Sequence, residues 1–184
     1  MSKRIALLSA AAFSLLALSA TITAPASAEE KTVMVGGAAM FPSKNIVQNA
    51  VNSKDHTTLV AAVKAAGLVD TLQSKGPFTV FAPTNAAFGK LPAGTVDTLV
   101  KPENKATLTK ILTYHVVPGR LEASSLTDGK KLKTVEGEEL MVKNEGGHVM
   151  IIDAKGDSSK VTISNVNQSN GVIHVVDTVL MPAS

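Results

Sequence analysis

The sequence predicts an α+β fold, in which a largely helical first half precedes a largely β second half. Up to about residue 112, apolar residues recur mostly with the spacing of amphipathic helices. From residue 114 onwards they follow the alternation of strands, and glycine-rich or polar turns separate the segments. Because helices and strands are grouped instead of alternating one by one, the pattern differs from that of a βαβ fold.

Residues 1–28 have the features of a cleaved secretory signal peptide. Ser2-Lys3-Arg4 provides a positive start, residues 5–20 form an uncharged apolar run, and residues 26–28 (Ala-Ser-Ala) fit the cleavage rule. A membrane anchor is the alternative, but a spanning helix needs about 20 apolar residues, which this run does not reach. We therefore expect an exported chain that begins at Glu29 and is periplasmic, extracellular or at the cell surface.

The composition of the exported part excludes several functional classes. Its length suits one domain with a hydrophobic core. The formal charge of +3 includes Lys3 and Arg4, so the exported chain is nearly neutral and shows no basic stripe for nucleic acid. The absence of cysteine excludes disulfides, a thiol nucleophile and a thiolate metal site. Such a chain depends on its hydrophobic core for stability.

Residues 29–44 are predicted to form an N-terminal arm without regular structure, because Gly36-Gly37 and Pro42 interrupt it. The apolar residues of this arm that we expect to pack on the domain or on a partner are Met34, Met40 and Phe41. The domain itself is predicted to span residues 45–184.

Helical spacing is clearest over residues 57–66. Leu59, Val63 and Ala66 form an apolar stripe there, Thr57 or Thr58 is expected to cap the first turn, and Gly67 suits the left-handed end. Further short helices are predicted over residues 45–51, 68–73, 92–100 and 102–112.

The first predicted strand covers residues 78–82, and its nearly continuous apolar character indicates that both of its faces are buried. After a short extended segment at residues 114–119, further strands are predicted over residues 132–135, 139–143, 148–153, 161–165 and 172–180. Asn170-Gly171 indicates a tight hairpin turn before the last strand.

The polar pair Thr84-Asn85 follows the strand 78–82 and allows two interpretations. As a reactive site, Thr84 would need an activating base and an oxyanion hole. As structure, Thr84 is a helix N-cap, with Pro83 and Phe88 in the positions of a hydrophobic staple. We favour structure, because the cap accounts for three residues and the catalytic interpretation accounts for one hydroxyl.

The four histidines, His56, His115, His148 and His174, do not form a recognisable metal or catalytic motif. No pair has the spacing of a zinc-binding helix, and no G-x-S-x-G segment is present. His174 and Asp177 lie three apart on a predicted strand, so their side chains point to opposite faces. A triad assembled from distant residues stays open. We expect no metal site and no cofactor.

Tyr114-His115 lies where a helix passes into a strand and again has two interpretations. The simpler one is a half-buried pair whose polar atoms bind backbone groups. The other is a recognition site for a partner.

Two polar segments of the second half are expected to be surface loops. Residues 153–159 superficially suggest a calcium loop, but Lys155 and Gly156 do not match the required spacing, so a hairpin loop is favoured. Lys130, Lys131 and Lys133 form a basic cluster, interpreted as a solvated turn or as a contact for an anionic surface or polysaccharide.

Three segments in order resemble the signatures of the fasciclin domain family. They are "TLVAAVKAAGLVDTLQSKGPFTVFAPTNAAFGKLP", "LTKILTYHVVPG" and "NGVIHVVDTVLMP". The resemblance covers residues 45–182, and the chain is similar to small secreted bacterial members with a single domain. It implies a wedge of two β-sheets flanked by several helices. It also implies that Thr84, Asn85 and His174 are structural, and that Tyr114 and His115 match a motif linked to receptor binding in animal relatives.

The resemblance implies a binding module for cell–cell or cell–surface attachment and not an enzyme. The expected partner is a surface or matrix protein or a polysaccharide, and the expected state is a monomer or a weak homo-oligomer. The first contact site to consider is Tyr114-His115, and the arm with Met34, Met40 and Phe41 is the second. The alternative is a carrier of a small apolar ligand held in a groove lined by the methionine-rich arm. A cell-wall hydrolase is the least favoured class.

Overall fold

Residues 31–183 are described by the structure, which is a computed structural model. They form the predicted α+β fold. The predicted signal peptide, residues 1–28, lies outside the described residues. Among those described, no helix is long and apolar enough to cross a membrane.

Helices dominate the first half and strands the second. The helices are α1 (Ile46–Ala50), α2 (Thr57–Ala66), α3 (Val69–Gln73), α4 (Asn85–Gly89), α5 (Thr95–Leu99) and α6 (Lys105–Tyr114). The strands are β1 (Val33–Val35), β2 (Ala38–Met40), β3 (Phe78–Pro83), β4 (Val116–Pro118), β5 (Lys131–Lys133), β6 (Glu139–Glu145), β7 (His148–Ile152), β8 (Ser158–Gln168) and β9 (Gly171–Val176). Short 3₁₀ turns cover Lys54–His56, Pro102–Asn104 and Ala123–Ser125.

Seven strands are joined in the order β4-β3-β9-β8-β7-β6-β5, and their pairs are antiparallel except β3 with β9. The long strand β8 pairs with β7 through residues 158–160 and with β9 through residues 161–168, where two irregularities break the register. Two sheet halves therefore share β8. A backbone hydrogen bond of 2.8 Å from Val135 N to Val116 O brings the opposite edges of the sheet together.

The hydrophobic core has two parts, one on each face of β3. Val80 and Ala82 face the first part, which the helices cover. Phe81 faces the second part, which fills the space between the sheet halves. This alternation confirms that strand β3 is buried on both faces. The residues of the second part are Phe81, Tyr114, Val117, Leu126, Leu132, Leu140, Val142, Val149, Ile151, Val176 and Leu180.

The N-terminal arm is more regular than the sequence predicted. Strands β1 and β2 form an antiparallel hairpin whose two-residue turn is Gly36-Gly37, both with positive φ. Glycine adopts this backbone at little steric cost, so the residues that suggested an irregular arm are those that make the turn. Val35 and Met40 belong to the first part of the core. The boundary between the arm and the domain stays a prediction.

Other element ends also differ from the prediction. Helix α5 begins at Thr95 and not at residue 92, because Gly94 adopts a left-handed conformation just before it. The predicted helix over residues 102–112 is a 3₁₀ turn followed by α6, which continues to Tyr114. The hairpin before β9 forms as predicted, but Gln168 pairs with Gly171, so the turn is Ser169-Asn170.

Gly171 is required by the approach of two strands. A Cβ atom at this position would lie 2.0 Å from the carbonyl oxygen of Phe78 in β3. The parallel pairing of β3 with β9 begins at these two residues. A side chain at position 171 would therefore push strands β3 and β9 apart.

We expect Gly171→Ala to lower the free energy of unfolding by about 3 kcal/mol, because backbone atoms cannot move aside cheaply. Urea unfolding followed by circular dichroism measures the change. Gly89→Ala is the matched control, since its Cβ atom would meet nothing within 4 Å. Equal stability of both variants would contradict the close packing of β3 on β9.

Candidate functional site

Thr84 lies at the N-cap of helix α4. Its Oγ1 accepts a hydrogen bond of 3.2 Å from Ala87 N, and its extended backbone (φ −73°, ψ 167°) is that of a cap. Pro83 and Phe88 on either side are buried, as a hydrophobic staple requires. The hydroxyl is therefore engaged with the backbone of its own helix.

Asn85 joins α4 to the start of α2. Its Oδ1 accepts a hydrogen bond from Thr58 N at 3.0 Å, and its Nδ2 donates to Lys54 O at 2.9 Å. The prediction that Thr57 or Thr58 caps α2 is wrong, because the residue at the N-cap is His56, which makes no side-chain cap bond. An amide from a distant segment takes that role, and spacing within α2 could not show it.

Tyr114 is fully buried in the second part of the core, with 0% of its surface exposed. Its hydroxyl accepts from Ala154 N at 2.8 Å and donates to Glu139 O at 3.3 Å. Burial raises the pKa of the phenol to about 12, and nearby Asp153 adds to the shift. The hydroxyl thus connects α6 to β6 and to the loop after β7.

His115 is also buried, and both ring nitrogens have backbone partners. Nδ1 lies 2.8 Å from Ile111 O, and a carbonyl oxygen only accepts, so Nδ1 carries the proton. Nε2 accepts from Leu180 N at 2.9 Å. Burial lowers the pKa of His115 to about 4, so the ring is neutral at pH 7 and fixes the C-terminal segment to α6.

The Tyr114-His115 pair offers no surface to a partner in this structure. Its polar atoms bind backbone groups, as the simpler of the two interpretations expects. A direct contact between the pair and a partner would need a rearrangement of the loops that cover it. That the pair is a contact site stays a prediction.

Asp153 organises the loop between β7 and β8. Its Oδ1 accepts from Lys155 N and Asp157 N, and its Oδ2 accepts from Met181 N at 2.9 Å. Residues 153–157 form the expected hairpin loop, since Ile152 pairs with Ser158. Within residues 31–183, no group of three or more acidic or histidine side chains is placed to hold a metal ion.

His174 packs inside the sheet on Phe81, with ring centroids 5.7 Å apart and planes 26° apart. Its Nε2 lies 2.7 Å from Leu121 O, and its Nδ1 accepts from Asn165 N at 3.4 Å. Burial lowers the pKa of His174. The imidazole therefore ties β9 to the segment after β4.

His56 is a third buried histidine, and its place in the sequence indicated no role for it. His56 Nδ1 lies 2.9 Å from Ser53 Oγ, and its Nε2 is buried without a hydrogen-bond partner. Burial lowers the pKa of His56, and the backbone of Ala82 and the charge of Asp55 oppose this shift in part. The S-x-x-H spacing at the turn before α2 was the only available signal.

The three residues of the arm have different surroundings. Met34 is 59% exposed, Met40 is buried in the core, and Phe41 is half-buried with Lys44 Nζ 4.8 Å from its ring centroid. Asn49 of α1 holds the arm, because it accepts from Phe41 N at 3.1 Å and donates to Phe41 O at 2.8 Å.

An apolar cavity of about 60 Å³ lies beneath the arm hairpin. The hairpin, helices α1 to α3 and one face of the sheet line it. Met40 is one of the lining residues, and Met34 is not. His56 and Ser53 also line the cavity.

The outer face of strands β5 to β8 combines lysines with apolar side chains. In register, Met141 lies between Lys131 and Ile152, while Met150 lies between Lys143 and Lys160. Met141 is 43% exposed. We call these residues the outer patch: Lys131, Met141, Lys143, Met150, Ile152 and Lys160.

Two glutamates moderate the positive charge of the outer patch. Lys131 Nζ lies 3.4 Å from Glu139, and Lys143 Nζ lies 2.7 Å from Glu145. Such exposed ion pairs contribute little to stability and exchange readily with other anions. Two lysines of the predicted basic cluster, Lys131 and Lys133, are exposed on the edge strand β5 and do not lie in a turn.

Comparisons with known proteins agree with the fold. The family model for the fasciclin domain matches residues 54–182. Protein sll1483 of Synechocystis sp. is 48% identical over 153 residues, which cover 83% of this chain and 82% of that protein. The cell surface glycolipoprotein MPB83 of Mycobacterium bovis is 34% identical over 183 residues, covering 89% and 79% of the two chains.

A solved structure shows the same fold. It is a FAS1 domain pair from the insect cell adhesion molecule fasciclin I, with a TM-score of 0.68 and 20% identity. The match covers 77% of this chain and 52% of that one.

We expect the buried histidines to make the protein less stable in acid. The folded state keeps His115 neutral down to about pH 4, whereas the unfolded chain binds a proton below about pH 6.5. The free energy of unfolding should therefore be constant above pH 6.5 and fall by about 3 kcal/mol for His115 alone as the pH drops to 4.

Urea unfolding at pH 7, 6, 5 and 4 tests this dependence. His115→Gln should flatten the decline between pH 6.5 and 4, even if the variant is less stable throughout. His148→Gln, which replaces an exposed histidine, is the control. An unchanged decline in His115→Gln would mean that the buried imidazole is not the group that titrates.

Proposed function

The chain belongs to the fasciclin domain family, and we propose that it is an exported module that attaches cells to one another or to a surface. Fasciclin domains occur in an adhesion molecule and in a cell-surface protein among the proteins compared. Export of this chain rests on the predicted signal peptide at residues 1–28. The proposed partner is a surface or matrix protein or a polysaccharide.

A binding role is supported by the hydrogen bonds of the polar residues that were considered as catalytic or recognition residues. Thr84, Tyr114 and His115 all bind backbone groups with their polar atoms. A hydrolase would need a nucleophile and a base that converge on a substrate. We therefore propose that the protein acts by binding and is not an enzyme.

The outer patch is the surface that we propose for the contact, and its composition carries the proposal. The exposed Met141 and the half-buried Met150 can adapt to an irregular partner, and lysines attract carboxylate or sulfate groups. The strands beneath it are fixed by the buried core, so the patch is presented on a rigid support. Weak single contacts suffice when many copies act together on a surface.

Tyr114 and His115 are proposed to act on this contact indirectly. The Tyr114 hydroxyl holds the start of β6 and the loop after β7, and these two strands carry Met141 and Met150.

The exposed Met34 of the arm is the second proposed contact. The alternative function, a carrier of a small apolar ligand, is favoured by one observation, that Met40 lines the cavity beneath the arm.

We expect the double variant Met141→Asp/Lys143→Glu to attach at least about tenfold more weakly than the unaltered protein, because it removes an apolar contact and reverses a charge. Binding of labelled residues 29–184 to intact cells and to anionic polysaccharide beads, at low and high salt, measures the effect. Attachment to the polysaccharide should weaken as salt rises.

Two single variants locate the contact. Met34→Asp places one negative charge at the second proposed contact, and Tyr114→Phe keeps the ring but removes the buried hydroxyl that is proposed to position the outer patch. If the double variant attaches fully and Met34→Asp loses attachment, the contact lies in the arm and not on the outer patch. If the unaltered protein attaches to neither cells nor beads, the adhesion proposal is wrong.

A further inference from the structure

We propose that Asn170-Gly171 is a covalent modification site, at which spontaneous deamidation converts a transiently unfolded chain into one that no longer regains the native fold. It is the only Asn-Gly pair in the sequence. The reactants are the asparagine side chain, the backbone amide that follows it and water, so the reaction requires no enzyme. This chemistry is independent of the adhesion proposal.

The reaction joins the side chain of Asn170 to the backbone of its neighbour. The backbone nitrogen of Gly171 attacks Cγ of Asn170, the Cγ–Nδ2 bond breaks, and ammonia leaves with the proton that the backbone nitrogen gives up. Water then opens the resulting cyclic imide at either of its carbonyl groups, which yields aspartate or isoaspartate. Glycine favours the attack, because it has no Cβ atom to hinder the nitrogen and its backbone is the most flexible.

In the folded protein, three hydrogen bonds restrain the carboxamide of Asn170. Its Oδ1 accepts from Ile46 N at 3.1 Å, and its Nδ2 donates to Leu72 O at 2.7 Å and to Ser74 O at 2.9 Å. Only 7% of the residue is exposed. Expulsion of Nδ2 would break two of these bonds in a place that water hardly reaches, so ring closure needs a local opening of the fold first.

The peptide group between Asn170 and Gly171 is restrained as well. The carbonyl oxygen of Asn170 accepts from Phe78 N at 3.0 Å, and Gly171 pairs with Phe78 in the parallel ladder of β3 and β9. Gly171 also pairs with Gln168 where the β8–β9 hairpin closes. Closure of the imide ring rotates this peptide group towards the side chain, which breaks strand pairing that an unfolded chain does not have.

The aspartate product does not fit the native contacts. A carboxylate only accepts hydrogen bonds, so it would face the carbonyl oxygens of Leu72 and Ser74, to which the amide of Asn170 now donates. A buried carboxylate beside two carbonyl groups that have lost their donor is strongly unfavourable. The contact between the β8–β9 hairpin and the end of α3 would therefore be lost.

The isoaspartate product changes the main chain itself. Its peptide bond runs through the former side-chain carbon, so the backbone between positions 170 and 171 becomes longer by one carbon atom. Gly171 has no room to move towards β3, because even a Cβ atom there would lie 2.0 Å from the carbonyl oxygen of Phe78. The fold thus protects the site from the reaction and accepts neither product.

Incubation of residues 29–184 at pH 8, either folded in buffer or unfolded in guanidinium chloride, tests the site. One C-terminal tryptic peptide contains Asn165, Asn167 and Asn170, so the first two are internal controls. Tandem mass spectrometry locates the exchange of NH for O. We expect Asn170 to react at least about tenfold faster in the unfolded chain than in the folded protein. In the unfolded chain it should also react faster than Asn165 and Asn167, which larger residues follow.

Two variants test the effect of the aspartate product. Asn170→Asp should raise the equilibrium constant for unfolding, measured in urea, at least about tenfold. Asn167→Asp is the matched control, because Asn167 Oδ1 accepts from Arg120 Nη2 at 2.6 Å and a carboxylate can accept the same bond. Its unfolding equilibrium constant should change by less than about threefold.

Refolding of the reacted protein measures the effect of both products. After dilution from guanidinium chloride, chains modified at position 170 should be found in the unfolded or aggregated fraction, and unmodified chains in the folded fraction. This separation decides the matter even if Asn170→Asp does not fold. Recovery of modified chains in the folded fraction would overturn the proposed loss of the native fold.

Two further results would overturn the assignment of the site. Equal rates at Asn170 in the folded and unfolded protein would contradict protection by the fold. Faster reaction at Asn165 or Asn167 in the unfolded chain would place the modification elsewhere. Gly171→Ala, studied only in guanidinium chloride, should slow the reaction at Asn170, because its side chain hinders the attacking nitrogen. An unchanged rate in that variant would contradict attack by the nitrogen of residue 171.

Discussion

Side chains that satisfy backbone amides at the ends of helices and strands hold this fold together. Asn85 accepts from Thr58 N, Tyr114 from Ala154 N, and His115 from Leu180 N. Asn170 does the same for Ile46 N and also donates to the carbonyl groups of Leu72 and Ser74 at the end of α3. Each of these bonds joins segments that are far apart in the sequence. A backbone amide left unpaired in such places would cost about 1–3 kcal/mol, so the bonds restrict how the helices sit on the sheet.

This constraint separates structure from function within the molecule. The residues that the sequence suggested for catalysis or recognition form hydrogen bonds within the fold. The lowered pKa of His115 and the raised pKa of Tyr114 keep each of these two side chains in one protonation state at neutral pH. The adhesion proposal assigns contact with a partner to exposed side chains such as Met141 on the outer patch and Met34 in the arm. His56 is also used internally, since its Nδ1 lies 2.9 Å from Ser53 Oγ.

Local patterns in the sequence were sufficient for much of the fold and for little of the site. Helix α2, its glycine end and the buried strand β3 follow from periodicity, and the Thr84 cap follows from its neighbours. The sequence did not predict the hairpin of the arm, because a pair such as Gly36-Gly37 is typical both of an interruption in regular structure and of a tight turn. The cap supplied by Asn85, the full burial of Tyr114 and the cavity at His56 depend on contacts between distant segments, which spacing along the chain does not encode.

Amide hydrogen exchange of the folded protein tests whether side chains hold these backbone amides. Thr58, Ala154, Leu180 and Ile46 donate their amide hydrogens to buried or half-buried side chains. We predict that these four amides exchange orders of magnitude more slowly than in an unstructured chain, although a helix or strand ladder explains none of the four bonds. Exchange of Leu180 and Ala154 at the rate of an unstructured chain would contradict the account, because Tyr114 and His115 would then not hold the segments they are proposed to join.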